Sequence, residues 1–244
     1  MKDQSPIGMN RTGVQMSPFD TSAMQSGLPQ SGVAPVSSDG TAMAEMRRSY
    51  VEEAEPLGSV PVPGTIKGAM TTGLSMLTGN QPQLLLDKLG ERLAFERTGT
   101  RLYDALIAKF EASGHSGTSM TVDDLRKIRA DEARHFAIIA NAIESVGGDP
   151  TSQTPCADLV GVESSGLMQV VTDPRMAISQ SLHAILMAEM ADQSGWEMLI
   201  RLAEDQGQSS MTPDFQVALD EERVHLKLVQ TWFEEATLGA SVSG

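Results

Sequence analysis

The chain reads as an all-α protein, and three observations predict it. Between residues 81 and 236, apolar residues recur at helical spacing in four long stretches. Most of these stretches open on a capping residue or a proline in the first turn. Glycine follows the end of each, at Gly114, Gly147, Gly207 and Gly239.

The first helix is expected over residues 81–113. Asn80 can cap it and Pro82 suits its first turn. Leu85, Leu89, Leu93, Phe95, Leu102, Leu106 and Phe110 form its apolar stripe, and Glu96 falls within that stripe. The loop after it is short, so the second helix, over residues 121–146, should return antiparallel. Thr121 can cap that helix, with Asp123 and Asp124 favouring its positive end. Leu125, Ile128, Ala133, Phe136, Ile139 and Ile143 are its apolar set, and Gly147-Gly148-Asp149-Pro150 stops it. Residues 147–173 form a long connection, with a short helix expected over Leu167–Val171. Asp173-Pro174 should open a third helix that runs to about Asp205, and Thr212-Pro213 a fourth that runs to about Ala236.

Composition narrows the function. The net charge is -14, of which residues 1–80 contribute only -2, so the helical region is strongly acidic. Such a surface argues against nucleic acid and is compatible with attracting cations. Cys156 is the only cysteine, which rules out an internal disulfide and a cysteine metal knuckle. No apolar run is long enough to cross a membrane and no leader is evident, so a cytoplasmic location is expected. Residues 1–63, rich in Ser, Gly, Gln, Pro and Met, are expected to be a largely disordered or extended tail. Within it, Ala44–Glu55 could form a short polar helix, ended by Pro56. Residues 64–79 contain a short amphipathic helix over Ile66–Leu77, the helical domain spans 80–238, and 239–244 is a terminal tail.

One constellation carries chemistry: Glu96, then Glu132-x-x-His135, then Glu189, then Glu222-x-x-His225. A Glu and a His three apart share a helix face and can point at one object. The half-site occurs twice, with Glu-to-Glu spacings of 36 and 33 residues. Four buried carboxylates would carry about four negative charges, which two divalent cations would neutralise. Aligning Glu96 with Glu189 also pairs Tyr103 with Trp196 and Leu106-Ile107 with Leu199-Ile200, a weak internal repeat that predicts a pseudo-two-fold axis.

This pattern resembles the ferritin-like di-iron/di-manganese carboxylate family over roughly residues 80–238. The resemblance implies an antiparallel four-helix bundle with a long crossover between the second and third helices. It implies two iron ions, or alternatively manganese, held by Glu96, Glu132, His135, Glu189, Glu222 and His225. Glu132 and Glu222 would bridge the ions, and Glu96 and Glu189 would be terminal. Tyr103, two turns from Glu96, is expected to hydrogen-bond a ligand, while Trp196 is assigned to the core. Asp131 and Glu221 lie about 100° off the ligand face and are expected to be exposed. His115, His183 and the methionines are not expected to be ligands.

The activity implied is oxidation of Fe(II) by oxygen or peroxide. Alternatives are a manganese-catalase- or rubrerythrin-like peroxide-consuming enzyme, an oxygenase acting on an organic substrate, or a metal-stabilised interaction or cargo protein that uses its N-terminal tail to reach a protein partner. The expected partners are Fe(II) and oxygen or peroxide, with no nucleic acid and no membrane, and a homo-oligomer, a dimer or larger, is expected.

Overall fold

The computed structural model describes residues 18–27, 40–61, 82–113 and 117–239, and all the regular structure among them is helical. Residues through Pro56 and those from Leu57 onward form two units. In the first, helix α1 spans Pro18–Gly27 and α2 spans Thr41–Glu53. Composition assigns the first of these segments to an extended tail, yet it is helical. The second starts three residues before the polar helix expected there and buries none of its residues. The amphipathic helix expected over Ile66–Leu77 lies outside the described residues.

The second unit holds α3 (Pro82–Ser113), α4 (Val122–Ser145), α5 (Pro155–Thr172), α6 (Ile178–Asp205) and α7 (Thr212–Leu238). Local chemistry sets several boundaries. Thr121 and Asp124 close a reciprocal box at the start of α4, the Asp124 amide donating to the Thr121 hydroxyl at 3.1 Å and the Thr121 amide to the Asp124 carboxylate at 3.2 Å. Gly147 ends α4 with a φ of 86°, a left-handed conformation that glycine adopts without a Cβ penalty, and the Gly148 amide donates to the Ile143 carbonyl.

Two boundaries differ from expectation. The connection after α4 contains an eighteen-residue helix, α5, rather than a short helix near its end. Thr154 caps it and Pro155 occupies its first position. Asp173-Pro174 does not open α6, which begins four residues later at Ile178. Asp173 instead terminates α5, and its carboxylate accepts from the Arg175 amide at 2.9 Å, folding the chain into a turn. Lys109 of α3 steadies that turn, donating to the carbonyls of Asp173 and Met176 and to the Ser181 hydroxyl.

Side-chain pairs fix the helix directions. Arg126 meets Glu111 and Arg129 meets Asp104, so α3 and α4 are antiparallel. Arg92 meets Asp192 and Lys109 meets Ser181, so α3 is also antiparallel to α6. Stacking of His183 on Phe233 and the Arg223–Glu197 pair set α6 against α7 in the same sense. Helices α4 and α6 therefore run the same way, and the chain must travel back between them. That return is made by α5, which packs on α3 where Gly90 and Ala94 leave room for Thr154, Ala157 and Val160.

Beside the small cluster of Ala94, Ala157 and Val160, the core forms two large clusters. One apolar cluster gathers Leu89, Leu93, Ile139, Trp196 and Phe215; the other gathers Leu102, Leu106, Ile128, Leu182 and Trp232. On every long helix the gap between the clusters is where the glutamates and histidines fall. No helix among the described residues is long and apolar enough to cross a membrane.

A methyl group at Gly90 would overlap the side chain of Thr154, whose hydroxyl accepts from the Ala157 amide at the start of α5. Gly90→Ala should lower the unfolding free energy by about 1–3 kcal/mol in urea titrations. Unchanged stability would mean that α5 does not depend on this close approach.

Candidate metal centre

Glu96, Glu132, His135, Glu189, Glu222 and His225 all lie in the layer between the two apolar clusters, each at most 2% exposed. Their donor atoms form overlapping groups, each with its atoms within 4.8 Å of one another. Glu132, Glu189, Glu222 and His225 make one, and Glu96, His135 and Glu222 make a second. Glu222 belongs to both. A third combines Glu96, Glu132 and Glu222 with Asp192, a residue outside the predicted set.

The two imidazoles are presented alike. Each directs Nδ1 inward: that of His135 lies 2.7 Å from Glu222 Oε1, and that of His225 lies 3.3 Å from Glu222 Oε2. Each directs Nε2 to a carboxylate that sits on the other histidine's helix. His135 Nε2 is 2.8 Å from Glu221, and His225 Nε2 is 3.1 Å from Asp131. Arg134 bridges these two carboxylates, and Lys127 adds a second cation on Asp131. Burial pushes Asp131 and Glu221 up, but their basic and imidazole partners outweigh it and hold both below the usual carboxylate range. An ionised carboxylate accepts only, so each Nε2 donates outward, and each Nδ1 is the ring nitrogen turned to the inner carboxylates, where a bound cation would take the place of a proton.

Asp131 and Glu221 are thus not the exposed residues that helical geometry predicts. Asp131 is 6% exposed and Glu221 is half-buried. A position 100° from the ligand face lies on a helix flank, and here that flank of α4 meets α7. The signal was in the sequence: an acidic residue stands four before each histidine, and each serves the other half.

Tyr103 donates its hydroxyl to Glu189 Oε1 rather than to the Glu96 of its own helix. Trp196 is fully buried, edge-on to His135 at 5.7 Å between centroids. His183 is on the α6 surface, and His115 lies outside the described residues. Two further residues escape the motif. Arg92 and Asp192 are 5% and 2% exposed. Arg92 Nε lies 2.9 Å from Glu96, and its other nitrogens lie 3.3 Å from the Asp192 carboxylate and 3.2 Å from the Asp192 carbonyl. Spacing could have found both, since Arg92 is one turn before Glu96 and Asp192 is three residues after Glu189.

The donor set suits a hard cation. Glu96 Oε2, Glu132 Oε2 and Glu189 Oε2 are buried without a hydrogen-bond partner among the described residues. A buried carboxylate oxygen left unpaired is costly, and a coordinated cation removes that cost. The backbone is shaped around the cluster: a methyl at Gly99 would overlap Glu132 Oε2, so this mid-helix glycine makes room for a ligand. Burial first, then repulsion among neighbouring carboxylates, raises Glu96, Glu132 and Glu189 well above the usual range, against opposing pulls from Arg92 on Glu96 and Tyr103 on Glu189. Asp192 is pushed up to about 7 by burial, with Arg92 opposing. Glu222 is pushed up by burial too, but His135 and His225 outweigh this and hold it at about 2.

These directions set a pH dependence. A carboxyl raised in the folded state binds its proton more tightly there than in the unfolded chain. Its stabilising contribution is complete below the unfolded value and is lost as pH rises through the folded one, for Asp192 from 3.8 to about 7. Glu222 has the opposite sign, but its contribution is lost only as pH falls towards about 2, below this window. Chelator-treated protein should therefore melt at lower temperature at pH 8 than at pH 5. Added Mn(II) or Zn(II) should raise the melting temperature more at pH 8, because the ion displaces those protons. A metal-free melting temperature that is flat or rises over this range would contradict the assignment. In comparisons with known proteins, no family model, curated protein or solved structure matches the chain.

Proposed function

We propose that this chain is a ferritin-like dinuclear-metal oxidoreductase that binds two iron ions and oxidises Fe(II) with oxygen or peroxide. The observation that carries the reading is the pair of histidines. Both offer Nδ1 to one carboxylate cluster while a fixed carboxylate holds the proton on Nε2. The helix order supports it as well. Antiparallel pairs α3–α4 and α6–α7, with α4 and α6 running the same way and α5 returning between them, are what a ferritin-like four-helix bundle with a long crossover requires.

On this reading Glu96, His135 and Glu222 would hold one ion, and Glu132, Glu189, His225 and Glu222 the other. Paired iron ions held there would supply the electrons by which oxygen or peroxide is reduced. The protein's own groups do the rest. Glu222, which belongs to both groups, would contribute to holding either ion. Tyr103 fixes the orientation of Glu189 by donating to one of its oxygens, and Asp131 and Glu221 fix the imidazole rings. The apolar clusters on either side keep water from the carboxylates and strengthen their attraction for a cation. Manganese would be held by the same donors, and the metal found on the protein decides between the iron reading and a peroxide-consuming manganese enzyme.

Protein purified without added metal should carry about two metal ions per chain. The chelated form should consume oxygen when Fe(II) is supplied. Glu132→Ala should lower metal content to one ion or fewer with helix content retained in circular dichroism. Gly99→Ala should weaken binding in the same sense without removing any ligand, because its methyl displaces Glu132. Wild-type occupancy in both variants, or a parent protein that neither holds metal nor consumes oxygen, would overturn the reading.

A further inference from the structure

The weak repeat that pairs Glu96 with Glu189 also pairs other positions, and two of these pairs set a buried charged residue opposite an uncharged one. Asp192 stands where the first half has Gly99, and Arg92 stands where the second half has Ile185. Among the described residues these are the two buried charged side chains with no charged counterpart in the other half, and they meet. Their side chains form a buried ion pair against Glu96, with the Arg92 guanidinium 4.3 Å from the centre of the Phe95 ring. Space is made for them: a methyl at Gly195 would overlap the guanidinium. Glycine inside a helix is otherwise unfavourable, so a packing reason is required.

Charge explains what the pair does. The layer contains five carboxylates, Glu96, Glu132, Glu189, Asp192 and Glu222, and one guanidinium. Asp131 and Glu221 lie outside this count, balanced by Lys127 and Arg134. With every carboxylate ionised, the layer carries four negative charges, which two divalent cations cancel. Arg92 cannot give up its proton at any ordinary pH. Without its charge the layer would be matched instead by one divalent and one trivalent ion.

We infer that Arg92, held by Asp192, is a specificity-determining residue that sets the charge of the centre at two divalent ions and so raises the potential at which bound iron is oxidised. The inference rests on the dinuclear reading above. The step concerned is the loss of one electron from one bound Fe(II) to an external mediator, giving Fe(III) and raising the charge of the layer by one. A fixed positive charge a few ångströms away opposes that change, and at buried distances such an effect exceeds a factor of ten in the equilibrium.

The test is a mediator-coupled redox titration of full-length protein loaded anaerobically with Fe(II), its metal content measured first. At a fixed potential, Arg92→Gln should raise the Fe(III)/Fe(II) ratio at least about tenfold, a downward midpoint shift of at least about 59 mV. Asp192→Asn, nearly isosteric and opposite in charge effect, should shift the midpoint upward. The double variant, which restores the net charge, should return towards the wild type. A merely structural pair would lower occupancy or melting temperature in all three variants without this reversal of sign. Two irons per chain in every variant with unchanged midpoints would overturn the inference and leave the dinuclear reading intact. A wild-type protein that binds no iron would overturn both.

Discussion

Five carboxylates meet in the interior of this protein with too few donors to satisfy them, and the rest of the helical unit is arranged around that fact. They occupy a thin layer, with Leu89, Ile139 and Phe215 on one side and Leu102, Ile128 and Trp232 on the other. Apolar packing on both sides removes the water that would otherwise solvate the charges, so each carboxylate must find a cation or keep a proton. Without a metal, Glu96, Glu132 and Glu189 are driven towards the protonated form, while the two histidines keep Glu222 ionised. A positive ion entering the layer would therefore displace protons.

Helix direction is what brings the layer together. Glu96 and the Glu132–His135 pair meet because α3 and α4 are antiparallel through a short loop. Glu189 and the Glu222–His225 pair meet for the same reason on α6 and α7. The two halves face each other only if α6 starts near the end of the unit where α4 starts. Helix α5 makes that possible, and its fit against α3 at Gly90 and Ala94 is therefore tied to the site although it contributes no ligand.

Periodicity made much of this legible. The spans of α3, α4 and α7 agree with the sequence pattern to within about two residues, because capping residues, proline and glycine punctuate them. The six ligand candidates are visible because a three-residue spacing survives any detail of packing. What was not legible depends on neighbours. Asp173-Pro174 has the chemistry of a helix start, yet the same Asp ends α5 and its carboxylate is used by Arg175, so α6 begins later. Asp131 and Glu221 are a hundred degrees from the ligand face, and only the approach of α4 to α7 decides whether that flank meets water or a histidine. Arg92 and Asp192 are charged residues at core positions, which a hydrophobic pattern reads as interruptions. Their partners are one hundred residues apart, and no local rule links them.

The repeat in the sequence does not make the two halves of the site equal. Beside Glu189 the nearest added group is a phenol, Tyr103, which is neutral and donates one hydrogen bond. Beside Glu96 it is a guanidinium with a permanent charge, already paired to that carboxylate. A cation approaching the Glu96–His135 side meets Glu96, Glu222 and Asp192 with a guanidinium among them, whereas one approaching the Glu132–Glu189–His225 side meets three carboxylates, Glu222 included, and no guanidinium. On electrostatics alone, the second position would be the stronger if both took an ion. Duplicated spacing supplies two groups of side chains that could each hold an ion, and the departures from symmetry, Arg92 and Asp192 foremost, make those groups chemically different.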